Sequence, residues 1–191
     1  AYPEFEKSRA FNLEKSKALV SEAGYKGEPI VLAVSAGEET TGRVGQLIQQ
    51  QAKKVGLNVE IKQLQPLEFT EAQYDAAKRT GIDLFLVTSF NGVQDPLEPT
   101  GFTFLPGAFY NLSGFDNPEV TRLFEESRQN FDPQERAKMF VKMQEIYEKQ
   151  SVAIPLVSQR TVTFINKRLS GAVTSFAYLT MPALAFVGAS Q

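Results

Sequence analysis

Histidine, cysteine and tryptophan are absent from all 191 residues. Without histidine or cysteine there is no Ser-His or Cys-His nucleophile pair and no His- or Cys-based zinc site. Catalysis would have to rest on carboxylates, Lys, Tyr or a Ser–Lys pair. A cysteine-free chain suits an oxidising compartment without demanding one. A dominant charge is lacking too: net charge is −2 and the pI is near 5.4, so no basic footprint marks a nucleic-acid partner. No apolar run approaches the ~18–20 residues of a transmembrane helix. Residues 1–12 hold no apolar leader core, and the first residue is Ala1 rather than Met. The chain therefore reads as processed or truncated.

What is present suits a soluble globular fold with one substantial core: 42% hydrophobic residues, 22% charged, and 15 Phe with 6 Tyr as aromatic bulk. Asn12 can cap a helix that Glu14 favours and Gly24 stops. Residues 30–34 form a continuous β-rich run, the pattern of a strand covered on both faces. A turn at 37–42 leads to a second helix capped by Thr40 or Thr41, with Val44, Leu47, Ile48, Ala52 and Val55 on one face and Gly56 as its stop. Leu57, Val59 and Ile61 alternate with polar residues as in a half-buried edge strand. Pro66 opens a third helix with Phe69, Ala72, Ala76 and Ala77 inward, closed by Gly81, and residues 83–87 read as another buried strand. Strand, helix, strand, helix, strand makes a βαβαβ unit, so the fold class is α/β with a parallel-rich sheet flanked by helices.

From 89 to 115 the rhythm breaks. Seven Gly and Pro residues are interleaved with Phe102, Phe104, Phe109 and Tyr110. A loop of this length without structure of its own is usually functional. Most of its aromatics are expected to hold it down, with one or two lining a ligand cleft. Two capped helices follow. Asn117-Pro118 starts one, with Val120, Leu123, Phe124 and Phe131 along a face. Asp132-Pro133-Gln134-Glu135 reads as a capping box for the next, with Ala137, Phe140, Val141 and Tyr147 inward. Short strands are expected at 152–157 and 161–165. The apolar segment 176–187, from Phe176 to Val187, has no partner that the pattern identifies.

Two motifs invite a catalytic reading. Gly37 to Val44 carries the two glycines of a P-loop at the right spacing, but Arg43 stands where the phosphate-binding Lys belongs and Val44 where the Mg²⁺-binding hydroxyl belongs. It reads as a strand-to-helix turn, or as one lending its amides to an anionic group. Asp95 and Glu98 flank Pro96 and could form an acid/base pair, which makes a carboxylate-dependent α/β hydrolase the alternative function. No G-x-S-x-G, H-E-x-x-H or G-x-G-x-x-G motif is present, so neither a cofactor nor a metal is expected. A receiver-like interaction domain would need an acidic pocket at the strand ends, which Ser35, Ala36 and Ser89 do not supply.

Five blocks occur in a specific order: Asn12-Leu13-Glu14-Lys15-Ser16-Lys17-Ala18-Leu19 through Ala23-Gly24-Tyr25; Lys53-Lys54-Val55-Gly56-Leu57-Asn58-Val59-Glu60-Ile61; residues 83–88 followed by Asp95-Pro96; Gly114-Phe115-Asp116-Asn117-Pro118-Glu119-Val120; and Asp132-Pro133-Gln134-Glu135-Arg136 leading to Ala153-Ile154-Pro155-Leu156. In this order the chain resembles the C-terminal lobe of the family 5 solute-binding proteins, the dipeptide, oligopeptide and nickel binders of ABC importers. The resemblance implies a type II periplasmic-binding-protein-like lobe over residues 1–160. Residues 161–191 would be a return segment that packs on a missing first lobe, and the chain a fragment able to self-associate through 176–187. It also implies a non-enzymatic role: capture of a peptide or other small polar solute by hinge closure and delivery to an ABC permease. The place would be extracytoplasmic, in the periplasm or on a membrane-tethered lipoprotein.

The ligand site is expected beyond the carboxyl ends of the parallel strands, at Ser35 and at Ser89, Phe90, Asn91, Gly92 and Asp95. Peptide-binding relatives hold the ligand backbone along this second segment like an added strand. They anchor its ammonium on an Asp three residues before the Asp-Pro pair. That offset falls on Gly92 here, so a ligand without that ammonium (a sugar, a modified peptide or another polar solute) is expected.

Overall fold

The computed structural model of the chain describes residues 10–89, 93, 95–157, 164–171 and 187–189. It forms two compact units that divide between Thr88 and Ser89.

The first unit is built on a three-stranded parallel sheet. β1 (Ile30–Ser35) lies between β2 (Val59–Leu64) and β3 (Leu84–Phe85), in the order β2-β1-β3. The register runs from Ile30 opposite Val59 to Ser35 opposite Leu64, with Leu32 opposite Leu84. Because side chains alternate along a strand, β1 feeds two clusters. Leu32 and Val34 join Val59, Ile48 and Ala52 on one face, where the helix Glu39–Lys54 packs. Ala33 joins Leu64, Phe69 and Ala72 on the other, where the helix Pro66–Tyr74 packs. With α1 (Leu13–Glu22) preceding them, these helices are α2 and α3. Asn12 caps α1 by accepting from the Lys15 N–H at 2.8 Å. The expected α/β class, βαβαβ order and parallel pairing are all present.

Details differ, each for a local reason. α2 begins at Glu39, so Gly42 lies inside the helix and no P-loop turn exists; neither Thr40 nor Thr41 is the cap, and the Thr41 hydroxyl donates to the Glu38 carbonyl at 3.0 Å. The buried stripe is Thr41, Gly45, Ile48 and Ala52, while Leu47 is exposed. Gly45 sits at the closest approach: a Cβ there would meet Val34 Cγ1 at 3.4 Å. α3 ends at Tyr74 because Arg79 donates to the carbonyls of Ala72 (2.9 Å) and Gln73 (2.8 Å). Asp75 then caps a short 3₁₀ turn, Ala76–Arg79, that leaves Ala76 and Ala77 exposed rather than inward. β3 is shorter and less buried than expected. Phe85 and Leu86 join the two clusters, whereas Leu84 and Val87 are exposed.

Among the described residues the second unit has three helices, α4 (Leu97–Thr103), α5 (Pro118–Gln129) and α6 (Pro133–Lys149), with a two-residue antiparallel pair, β4 (Leu169–Ser170) and β5 (Gly188–Ala189). Its core is Phe115, Val120, Leu123, Phe124 and Met143. Asn117 and Asp132 cap α5 and α6 as expected, each accepting two backbone N–H bonds. The capping box is half made, because the Asp132 N–H goes to Asn130 Oδ1 at 2.8 Å and Glu135 pairs with Lys138 instead. The inward line of α6 runs through Met143 with Met139, Phe140, Ile146 and Tyr147 beside it; Ala137, Val141 and, in the α5–α6 turn, Phe131 are exposed. Residues 152–157 form no strand, and neither do Phe164 and Ile165. Residues 161–163, and the unassigned apolar segment except Val187, lie outside the described residues.

Candidate functional site

Ser35 ends β1 in the first unit and is buried at 8% exposure. Ser89 opens the second unit and is exposed. Phe90, Asn91 and Gly92 lie outside the described residues. Asp95 has several partners among the described residues.

The Asp95 carboxylate is committed to its own unit. Oδ1 accepts from the Leu97 N–H at 2.9 Å, and the Arg136 guanidinium bridges Oδ1 and Oδ2 at 3.1 and 3.0 Å. The Leu97 N–H first, and Arg136 with it, hold the carboxyl below the usual carboxylate range against the opposing effect of burial. Arg136 is itself fixed on α6: its Nε donates to the Ser127 carbonyl at 3.1 Å, and its guanidinium lies over the Phe140 ring at 5.7 Å. Glu98 turns the other way and accepts from the Val93 N–H at 2.7 Å. An ionised Asp95 held by a guanidinium has no proton to give, so the arrangement lends nothing to an acid/base pair.

The segment that reads as an open loop contains α4, seated from one side. Thr100 is buried, and a Cβ on Gly101 would meet the Phe124 ring at 3.2 Å. Phe104 stacks on Tyr147 with centroids 4.0 Å apart. Burial pushes the Tyr147 phenol up to about 12, with the Thr100 hydroxyl opposing, and the phenol makes no hydrogen bond of good geometry. Phe102 lies on the other side, half exposed, with its ring edge-on to Tyr110 at 6.4 Å. The expectation that most of the loop aromatics hold the loop down is not met: of the four, Phe104 packs on the core, while Phe102, Phe109 and Tyr110 are exposed and meet one another edge-on.

Asn111 organises the turn beyond them. Its Nδ2 donates to the carbonyls of Leu105 (2.9 Å) and Phe115 (2.7 Å), and its Oδ1 accepts from the Phe115 N–H at 3.0 Å. Sequence reasoning missed both Arg136 and Asn111. The signal for Asn111 was an amide, able to donate and accept at once, inside a Gly-rich turn. Arg136, 41 positions from Asp95, left no local signal. A shallow concavity of about 360 Å³ lies elsewhere, at the α5–α6 turn beside Phe131 and Met139. Among the described residues no cluster of three acidic side chains could hold a metal, and no helix is long and apolar enough to cross a membrane.

The sequence model of the bacterial extracellular solute-binding proteins, family 5 (middle region), matches residues 1–111. The glutathione-binding protein GsiB of Escherichia coli strain K12 is 26% identical over 177 residues, which cover 90% of this chain and 35% of GsiB. The chain thus spans about a third of the length of the curated relatives it matches. Among solved structures, the ABC transporter substrate-binding protein CtaP of Listeria monocytogenes superposes with a TM-score of 0.78 at 19% identity, over 94% of this chain and 37% of CtaP. The mannohexaose-bound periplasmic oligopeptide-binding protein of Thermotoga maritima gives 0.68 at 22% identity, over 81% of this chain and 32% of its own. At these identities the two structures attest the fold.

Proposed function

Because this chain belongs to the bacterial extracellular solute-binding proteins, family 5, we propose that it forms one ligand-binding lobe of an ABC importer's substrate-binding component. That component captures a peptide or other small polar solute by closure of two lobes and delivers it to a membrane permease. It works outside the cytoplasm, in the periplasm or on a lipoprotein anchor, and catalyses no reaction. The family match carries the proposal. The parallel sheet supports it, since Ser35 ends its central strand where open α/β sheets receive ligands. The ligand wall comprises Ser35, Ser89, Phe90, Asn91, Gly92 and Asp95. With Gly92 at the position where peptide-binding relatives carry an ammonium-anchoring Asp, a sugar or a modified peptide suits this wall better than a peptide with a free N-terminus. The lobe takes in residues 1–160. Residues 161–191 return to the other lobe, and the isolated chain self-associates through the apolar segment from Phe176 to Val187.

Calorimetry tests this reading with reduced glutathione, trialanine and mannohexaose as probes. The complete two-lobed protein should bind at least one at micromolar Kd, about −8 kcal/mol. The isolated chain, making about half the contacts, should fall to roughly −4 kcal/mol, the millimolar range. Tight binding by the isolated chain would overturn the single-lobe reading. Sedimentation should show the isolated chain associating, and a monomer would rule out pairing through 176–187.

A further inference from the structure

The two acids that flank Pro96 are engaged in opposite directions. Asp95 reaches forward to α6 through Arg136, and Glu98 reaches back to the Val93 N–H. We infer that Asp95, held on Arg136 as a fixed post, and Glu98, set on α4, are clips that determine where the backbone at Val93 and Asp95 stands. Asp95 then serves the ligand wall through Arg136 rather than by giving its carboxylate to the solute. This inference rests on the proposed position of that wall.

Three observations carry it. The post is built into the core side of its unit: the carbonyl that Arg136 Nε grips belongs to Ser127, which is 1% exposed. The element next to the clips is itself seated, with Thr100 buried and Gly101 against Phe124. A displacement of Asp95 therefore cannot be absorbed by sliding α4. Finally, the Arg136–Asp95 pair is partly open to water, with side chains 26% and 38% exposed. Pairs of that exposure add little to global stability. Yet Arg136 is held at two points, its Nε on the Ser127 carbonyl and its Nη2 on both Asp95 oxygens, and a charge-assisted contact from an anchored guanidinium fixes geometry. Arg136 and Glu98 are positioning residues on this reading, as the shell behind a binding constellation requires.

The test uses the complete protein carrying Arg136→Met, Asp95→Asn, both together, Glu98→Ala or Glu98→Gln. Amide hydrogen exchange is read at Leu97 and Val93. Exchange should speed about tenfold at Leu97 in Arg136→Met, where the Asp95 acceptor loses its anchor, and at Val93 in Glu98→Ala, where the acceptor is gone. Asp95→Asn keeps an acceptor oxygen and should leave Leu97 protected. Glu98→Gln keeps an acceptor oxygen and should leave Val93 protected. Affinity for whichever of reduced glutathione, trialanine or mannohexaose the wild type binds should fall about tenfold in Arg136→Met, more than the Tm change from losing the Ser127 contact accounts for. The double variant should bind no more weakly than the worse single one, because the two residues act as a unit. Wild-type protection at Leu97 in Arg136→Met or at Val93 in Glu98→Ala, or an affinity loss that merely tracks Tm, overturns the inference. If the wild type binds none of the probes, that result counts against the solute-binding reading, and amide exchange alone decides whether the clips exist.

Discussion

In the first unit the central strand is fixed by aliphatic side chains. Leu32 and Val34 are buried on one face and Ala33 on the other, between α2 and α3. In the second unit, the chain from Val93 to Phe115 adds to its apolar contacts (Leu97, Phe104, Leu105 and Phe115) a set of polar side chains that grip backbone groups: Glu98 on Val93, Asp95 on Leu97, and Asn111 on Leu105 and Phe115. Burial is non-directional and scales with area, so the first kind of fastening tolerates small shifts. Hydrogen bonds are directional and leave costly orphans when one partner is lost, so the second kind holds one geometry or fails. A scaffold built the first way beside a segment built the second is the division of labour that the proposed binding lobe would require.

Truncation inside the aliphatic layer should do the most damage. Leu32→Ala removes a side chain that is 3% exposed, and the loss of transfer energy plus the cavity should cost about 2–5 kcal/mol in urea unfolding. A cost below about 1 kcal/mol would mean that the sheet is not held as described. Next in size is Asn111→Leu, which keeps approximate volume but leaves the Leu105 and Phe115 carbonyls without their donor. It should cost about 1–3 kcal/mol, and near-ultraviolet dichroism from the Phe102–Tyr110 pair should change with it. Asn111→Asp retains the acceptor and loses both donors, so it should fall between wild type and Asn111→Leu. Equal stability of Asn111→Leu and wild type would erase the contrast between the two kinds of fastening.

The same contrast decides what could be read from residue order. β1 follows from periodicity. Of the α2 face expected at Val44, Leu47, Ile48, Ala52 and Val55, Ile48 and Ala52 pack on the sheet, whereas Leu47 is exposed and Thr41 and Gly45, which carry no apolar signal, take the buried positions. The helix caps at Asn12, Asn117 and Asp132 were legible because an N-cap acts over two or three residues. α4 was not legible, since Pro99 and Gly101 within Leu97–Thr103 argue against a helix on propensity alone. What outweighs propensity there is tertiary: Gly101 lets Phe124 approach, and Phe104 finds Tyr147. The Asp95–Arg136 contact is legible only once α5 and α6 are folded together. Asp95 itself could be singled out as a residue that matters, while its part as a clip awaited its partner.

The smallest expected effect concerns polar fastening on the surface, where screening should weaken it most. Glu119 on α5 accepts from Arg122 on its own helix at 2.8 and 2.9 Å and from Lys142 on α6 at 2.6 Å. The Arg122 and then the Lys142 hydrogen bonds hold its carboxyl down at about 2, against an ordinary 4.5. A carboxyl depressed in the folded state is bound by fewer protons there than in the unfolded chain, so its stabilisation is complete above about 4.5 and is lost as the pH falls towards 2. Wild type should therefore be slightly more stable than Glu119→Gln at neutral pH, and the gap should close across that window. Roughly 1 M salt, with a Debye length of ~3 Å, should shrink the gap at neutral pH as well, because the residues are exposed. Asp95 is as open to water as Glu119 (38% against 35%), but Arg136 at 26% is more sheltered than Arg122 at 49% or Lys142 at 55%. The Asp95–Arg136 contact should therefore lose less to the same salt. Protection of the Leu97 amide is the measurement that separates them: if it fell with salt as fast as the Glu119 gap closes, the clip would be no more than another surface ion pair.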